Sequence, residues 1–255
     1  MQTITITLGD QAENHRGMQK IGELSDEGFS YTDLKKAKKW FDEKKIDTEI
    51  IKLHEELQSI FEDTNEIIPK AYILIARKGL GAIVNIAEFF NEQDALEKDT
   101  KAKMYGRVVN KTARHNLCFA EESQEPDYEN GKGRIIAFND VPLLKKFRKT
   151  LPKIIGEKAK NLMAEGNYYY DITKCGIGFH GDSERKKVIA VRVGQTMPLH
   201  YQWYYENEEL GPRIKLSIDD GDIYIMSEKA TGYDWKKKSL LTLRHAAGAK
   251  KFLKE

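Results

Sequence analysis

The sequence predicts an α+β protein in which helices are concentrated before residue 166 and short strands after it. Apolar residues recur at helical spacing in several segments of the first part, and β-prone runs follow one another closely in the second. The chain has 255 residues, 40% hydrophobic and 32% charged, with a mean hydropathy of −0.61. This composition predicts a soluble globular protein rather than a disordered or membrane-embedded one.

The first 80 residues predict a strand, two amphipathic helices and a second strand, with a polar loop at 9–29. In the first helix Leu34 and Phe41 share one face, and in the second helix Ile50, Leu53 and Leu57 do so. The predicted bounds are 3–8 and 71–79 for the strands and 30–45 and 47–63 for the helices.

A polar, charged segment at 91–103 predicts a boundary between two domains. Residues 1–100 would form an N-terminal α/β extension of unknown role, and residues 101–255 the main domain. Short strand-like runs at 105–111, 115–120 and 133–138 come next, separated by a loop rich in glycine and proline. One long helix is predicted at 141–166, interrupted or restarted near Pro152.

The C-terminal part predicts a sandwich or barrel. Its β-prone runs are short and each is bounded by glycine, proline or charged residues. They lie at 186–194, 198–205, 212–218, 221–226 and 239–245.

Several classes of protein are excluded at this level. No apolar run approaches the roughly 20 residues that span a bilayer, and no secretory signal opens the sequence, so we expect an intracellular protein, cytoplasmic or nuclear. Two cysteines, Cys118 and Cys175, are too few for a disulfide framework or a four-thiolate zinc site. The net charge of +2 says little about partners, and the sequence leaves the oligomeric state open.

The tripeptide His180-Gly181-Asp182 is the candidate for metal chemistry. In an extended segment residues i and i+2 project to the same side, so an imidazole and a carboxylate can converge on one ion. A second imidazole from a distant strand would complete a facial triad of two histidines and one carboxylate, which leaves three coordination positions open.

The surroundings of this tripeptide resemble the AlkB-like dioxygenase family over residues 105–245. An Asn-x-Tyr element, Asn167 and Tyr169, precedes His180 by thirteen residues, and a Gly-Asp strand begins at Gly221. The resemblance implies a double-stranded β-helix (jelly-roll) core with flanking helices, Fe(II) and 2-oxoglutarate as cofactors, and hydrogen bonds from Asn167 and Tyr169 to 2-oxoglutarate.

Two alignments with the family are possible, and they place the third metal ligand at different positions. In the first, His245 binds iron together with His180 and Asp182, but no arginine follows to bind the distal carboxylate of 2-oxoglutarate. That role would fall to Lys250 or Lys251, or to a basic residue from another strand such as Arg192.

In the second alignment, Lys238 and Arg244 bind the two ends of the co-substrate, and the distal metal position falls at 235–237, where no histidine occurs. We favour the first alignment, because a site with His180 and Asp182 alone would hold iron poorly.

The resemblance implies an oxidoreductase that hydroxylates or demethylates a nucleic-acid base, in DNA or RNA. Aromatic-rich runs at 168–171 and 200–205 would suit base stacking, although aromatic residues on strands are more often core. Two alternatives stay open: a protein hydroxylase on the same scaffold, and a non-catalytic binding module with a decayed oxygenase fold.

Overall fold

The computed structural model describes residues 1–62 and 67–255 and contains sixteen strands within them. The strands are β1 (Thr3–Gly9), β2 (Gln11–Glu13), β3 (Lys20–Gly22), β4 (Thr48–Lys52), β5 (Tyr72–Ala76), β6 (Lys101–Met104), β7 (Arg107–Asn110), β8 (His115–Ala120), β9 (Ile135–Ala137), β10 (Met163–Tyr169), β11 (Gly176–His180), β12 (Val188–Gly194), β13 (Met197–Tyr205), β14 (Glu208–Ile218), β15 (Ile223–Met226) and β16 (Thr242–Gly248).

Four α-helices accompany the strands in the described residues, so the predicted α+β class is confirmed. The helices are α1 (Tyr31–Asp42), α2 (Ile86–Asp94), α3 (Pro142–Ile155) and α4 (Lys250–Leu253). Helix α1 begins with a capping box, in which Ser30 and Asp33 each bond to the other's backbone amide. None of the helices in the described part of the chain has the length and apolar character needed to cross a membrane.

The strands form a large sheet and a smaller one that face each other. The large sheet has the order β4-β5-β15-β12-β1-β10-β8-β9, and the smaller sheet has the order β11-β16-β13-β14. Helices α1, α2 and α3 pack with one face of the large sheet in one apolar core, and a second apolar core lies between the two sheets. The small strand pairs β2-β3 and β6-β7 lie outside these layers.

Strand β1 lies in the middle of the large sheet, between β10 and β12. Its alternating sequence sends Ile4, Ile6 and Leu8 into the helix-side core, whereas Thr5 and Thr7 line a cavity on the other face. Strand β5 likewise pairs with β15. The domain boundary predicted near residue 100 therefore separates strands that pair within one sheet.

Two predicted helices are wrong in the described residues, and the predicted loop at 9–29 contains the short strands β2 and β3. The helix expected at 47–63 is instead strand β4 followed by a 3₁₀ helix (Glu55–Ile60), because Ile50 and Ile51 pair with β5 and the sheet overrides the helical spacing; residue 63 lies outside the described residues. The helix expected at 141–166 ends at Ile155, where Gly156 adopts a φ of 108°, and its last part is strand β10. Pro152 lies inside α3 without ending it.

Candidate metal centre

The structure brings His180, Asp182 and His245 together, although 65 residues separate the two histidines. Nε2 of His180 lies 3.6 Å from Oδ1 of Asp182, and Nε2 of His245 lies 3.8 Å from the same oxygen. The two imidazole rings are 4.5 Å apart, because β11 pairs with β16 and places His180 opposite His245. One ligand atom from each residue falls within 4.8 Å of the others, which is the spacing that a single metal ion requires.

The turn that follows His180 is fixed by a close approach of two backbones. The amide of Asp182 donates to the carbonyl of Thr231 at 2.9 Å. A Cβ atom on Gly181 would lie 2.0 Å from the carbonyl oxygen of Gly232, so only glycine fits between the two ligands. The middle residue of the tripeptide therefore has a steric role in placing the pair.

The protonation of the histidines suits metal binding. Nδ1 of His180 lies 2.8 Å from the carbonyl oxygen of Gly178; Nδ1 therefore carries the proton, and the Nε2 lone pair points toward Asp182. Burial lowers the pKa of His180 and, more strongly, that of His245, so both imidazoles are neutral. Burial also raises the pKa of Asp182, which leaves a carboxyl group that a cation would stabilise in its charged form.

A buried ion network lies behind Asp182. Nη2 of Arg185 donates to Glu165 at 2.6 Å and to Glu184 at 2.7 Å, and its Nε lies 4.0 Å from Asp182. The Arg185 side chain is only 4% exposed. Three carboxyl groups thus surround one guanidinium, and this excess of negative charge favours a cation at the neighbouring triad.

The triad opens into a cavity of about 700 Å³ whose floor is formed by the large sheet. Thr5 pairs with Asn167 on one side and with Arg192 on the other, so three polar side chains form a row across β10, β1 and β12. Nε of Arg192 donates to Oγ1 of Thr5 at 3.2 Å, and its Nη1 donates to the carbonyl of Met197.

Arg192 is a buried cation without a compensating anion. It is 1% exposed, and no carboxylate of the described residues lies within 4.0 Å of its guanidinium. A charge in such a place is costly unless a ligand neutralises it. An anion bound at the floor of the cavity would offset this cost.

No family model matches the chain, and comparison with known proteins finds a relative that spans almost its whole length. An uncharacterized protein of Acanthamoeba polyphaga mimivirus is 50% identical over 253 residues, which cover 99% of this chain and 98% of that protein. The chain belongs to the family of this mimiviral protein.

The other basic residues that the sequence offered as ligands of the 2-oxoglutarate carboxylate do not line the cavity. Successive side chains of a strand point to opposite faces of the sheet, so Arg244 points away from the cavity that His245 lines. Its guanidinium lies 3.9 Å from the ring centre of Tyr204. Lys238 is exposed, and Lys250 and Lys251 also lie outside the cavity lining. Asn167, Tyr169 and Arg192 do line it.

Sequence reasoning missed Thr5, Glu165, Arg185 and Tyr224, all of which line the same cavity. Only the alternation along the strands could have indicated these residues. Thr5 alternates with the isoleucines of β1, and Glu165 alternates with apolar residues of β10, so each lies on the face opposite to the apolar one. His200 is buried outside the cavity lining, with Nδ1 3.9 Å from Glu255.

Proposed function

We propose that this protein is an AlkB-like Fe(II)- and 2-oxoglutarate-dependent dioxygenase that oxidises a nucleic-acid base. The observation that carries the proposal is the convergence of His180, Asp182 and His245 at one end of a cavity whose floor holds the uncompensated cation Arg192. A two-histidine, one-carboxylate set is typical of non-haem iron(II) oxygenases.

Iron(II) would be held by Nε2 of each histidine and by the carboxylate of Asp182. With 2-oxoglutarate bound, the metal supplies the oxidation of a C–H bond by molecular oxygen, with succinate and carbon dioxide as co-products. The chain itself orients the ligands. The Gly178 carbonyl fixes the His180 tautomer, and Arg185 keeps the carboxyl groups around Asp182 in place.

The co-substrate would lie between the triad and Arg192. A guanidinium is the side chain best suited to pair with a carboxylate, because it presents two parallel N–H donors. Burial raises the pKa of Tyr169 and raises that of Tyr224 to about 12, so both phenols stay neutral hydrogen-bond donors in the same cavity. Arg192 would take the role of the arginine that does not follow His245 in the first alignment. The lack of that arginine is the feature that favours a non-catalytic binding module, so a bound co-substrate at Arg192 would argue against that alternative.

The proposal also includes a double-stranded β-helix as the fold and an intracellular location. Two facing, almost entirely antiparallel sheets support a double-stranded β-helix, with the triad on strands of the smaller sheet and the turn after β11. Cys118 and Cys175 are both buried free thiols, which is in keeping with a reducing intracellular compartment.

The residues around the cavity support the proposal that the substrate is anionic, as a nucleic acid is. Three exposed cations, the half-buried Arg114 and an aromatic ring line the cavity, and no carboxylate of the described residues comes within 4.0 Å of these cations. The residues are Arg16, Lys20, Arg114, Lys236 and Trp235. Basic side chains next to a stacking surface are the features by which proteins bind single strands.

The test is co-substrate turnover by the Fe(II)-loaded protein, measured as succinate formed from 2-oxoglutarate in the presence of methylated oligonucleotides. We expect turnover in the wild type and none in His180→Ala, Asp182→Ala or His245→Ala. His200→Ala is the matched control, since His200 is also a buried histidine of the smaller sheet but lies outside the cavity lining. Unchanged turnover in His180→Ala would refute the assignment of the metal site.

The choice of substrate in this assay distinguishes the proposed nucleic-acid enzyme from a protein hydroxylase. The same assay run with peptides in place of oligonucleotides should give no stimulation of succinate formation. Stimulation by peptides alone would keep the metal centre but reject the nucleic-acid base as the substrate. Failure of the intact protein to bind Fe(II) would favour the non-catalytic binding module.

A further inference from the structure

A two-stranded hairpin, β6-β7, lies outside the two large sheets and carries an exposed aromatic residue in its turn. Its strands are joined by Tyr105 and Gly106, which have φ values of 51° and 79°. Positive φ at both positions defines a type I′ turn, which favours asparagine, aspartate or glycine at its first position. Tyr105 is 96% exposed and therefore contributes almost nothing to a core.

The tyrosine at this position is unfavourable for the isolated fold. Bulky residues rarely adopt the left-handed conformation, and the strain is not repaid by packing because the ring is in solvent. Among the non-glycine residues with positive φ in the described chain, Tyr105 is the one aromatic residue. A contact with a partner is the physical reason that remains for an aromatic ring here.

The hairpin and its flanking residues form a basic segment in an almost neutral chain. Residues 98–114 contain six basic residues and one acidic residue, against a net charge of +2 for the whole protein. The acidic residue, Asp99, is fully buried. Within the described residues, no carboxylate lies within 4.0 Å of Lys101, Lys103 or Arg107. Lys101 and Lys103 share one face of the hairpin, and Arg107 follows the turn.

The root of the hairpin is joined to the wall of the cavity. The amide of Asn14 donates to Asp99 at 2.7 Å, and Lys111 donates to the side-chain oxygen of Asn14 at 2.6 Å. Asn14 and Arg114 both line the cavity. A strand of four residues spans roughly 13 Å, so the tip lies within a few nucleotides' reach of the cavity mouth.

We propose that the β6-β7 hairpin binds single-stranded nucleic acid, with a base stacked on Tyr105 and phosphates paired with Lys101, Lys103 and Arg107. The inference rests on the proposed function for the identity of the strand as substrate, whereas the binding itself needs neither metal nor co-substrate. Charge and the exposed ring select this partner. Phosphates match three cations that have no carboxylate partner among the described residues, of which Lys103 also donates to the carbonyl oxygen of Glu129, and any base offers a face for stacking.

The experiment measures binding of a fluorescein-labelled thymidine oligonucleotide by anisotropy, with the full-length protein free of metal and 2-oxoglutarate. Tyr105→Gly removes the ring and relieves the backbone strain, so we expect roughly fivefold or greater loss of affinity together with an unchanged or higher melting temperature. Tyr105→Phe should bind as the wild type does. A merely structural tyrosine would not give this combination of weaker binding and equal stability.

Replacement of Lys101, Lys103 and Arg107 by alanine should weaken binding and reduce the slope of log affinity against log salt by about 2, as expected for three lost phosphate contacts on a single strand. Two variants serve as matched controls. Tyr31→Ala removes another exposed tyrosine, and a triple alanine variant at Lys35, Lys36 and Lys39 removes the same charge from helix α1. Both should bind normally.

The outcomes separate this inference from the proposed function. His180→Ala should keep oligonucleotide binding while losing turnover. If the wild type binds through the hairpin but shows no turnover, the inference stands and the dioxygenase proposal fails. Wild-type affinity in Tyr105→Gly and in the triple hairpin variant would overturn the inference, and so would hairpin-dependent binding to an acidic peptide with no binding to the oligonucleotide.

Discussion

Replacement of Arg192 by methionine tests the proposed co-substrate site most directly. Methionine has a similar length and fills the same space, but it removes the buried positive charge at the floor of the cavity. In the wild type this charge has two hydrogen-bond partners, Thr5 and the carbonyl of Met197, and no carboxylate. The carboxylate of 2-oxoglutarate is the anion that we expect it to neutralise.

The magnitude follows from the loss of a charge-assisted pair in a dry site. Removal of one partner of a buried charge pair costs about 2–5 kcal/mol, and we take about 3 kcal/mol for Arg192→Met. That loss raises the Kd for 2-oxoglutarate roughly 150-fold. Calorimetric titration of the Mn(II)-loaded protein without oxygen measures this affinity separately from turnover.

The apoprotein should respond in the opposite sense. Because Arg192 carries an uncompensated buried charge, its removal should leave the melting temperature unchanged or higher. Arg244→Met is the matched control, since Arg244 was the rival carboxylate ligand in the sequence and lies outside the cavity lining. Normal 2-oxoglutarate affinity in Arg192→Met, with loss in Arg244→Met, would refute the reasoning and restore the second alignment.

Three further predictions concern the surroundings of the site. Gly181→Ala should weaken Mn(II) binding at least tenfold, because its Cβ would lie 2.0 Å from the Gly232 carbonyl, whereas Gly178→Ala, with its nearest atom at 3.9 Å, should bind normally; equal Mn(II) affinities would contradict the steric role. Arg185→Met should lower the free energy of unfolding in urea by about 3–5 kcal/mol, since it leaves buried carboxylates unpaired, and a loss below about 1 kcal/mol would show that the network is not coupled to folding. Burial lowers the pKa of Lys111 from 10.5 to about 8, so the folded protein binds fewer protons than the unfolded chain between these values and stability should rise with pH across that window. The rise should be smaller in Lys111→Met, and an identical pH dependence in both proteins would contradict the assigned shift.

Local patterns were sufficient where they report directly on geometry. The i, i+2 spacing of His180 and Asp182 predicted two side chains that lie 3.6 Å apart, and the apolar face of α1 predicted its buried residues Leu34 and Phe41. The same reasoning was wrong at 47–63. There a helical spacing of apolar residues coincides with two β-branched isoleucines, and pairing with β5 decided the outcome.

The choice between two alignments illustrates what local patterns lack. The sequence offered several cations for the carboxylate, and nothing in their spacing distinguishes Arg192 from Arg244. The structure separates them, because the first points into the cavity and the second points away from it. Whether a strand residue faces a site depends on the register of its sheet, which long-range pairing sets.

By itself, the sequence determined the α+β class, most of the C-terminal strands and the local pair His180-Asp182, since each depends on residues close together in the chain. Only the tertiary structure decided that β1 lies at the centre of the sheet, that His245 meets a pair 65 residues away, and that Arg192 is buried without an anion. These features arise from contacts between distant segments, and backbone pairing across a sheet leaves no fixed spacing in the sequence from which they could be read.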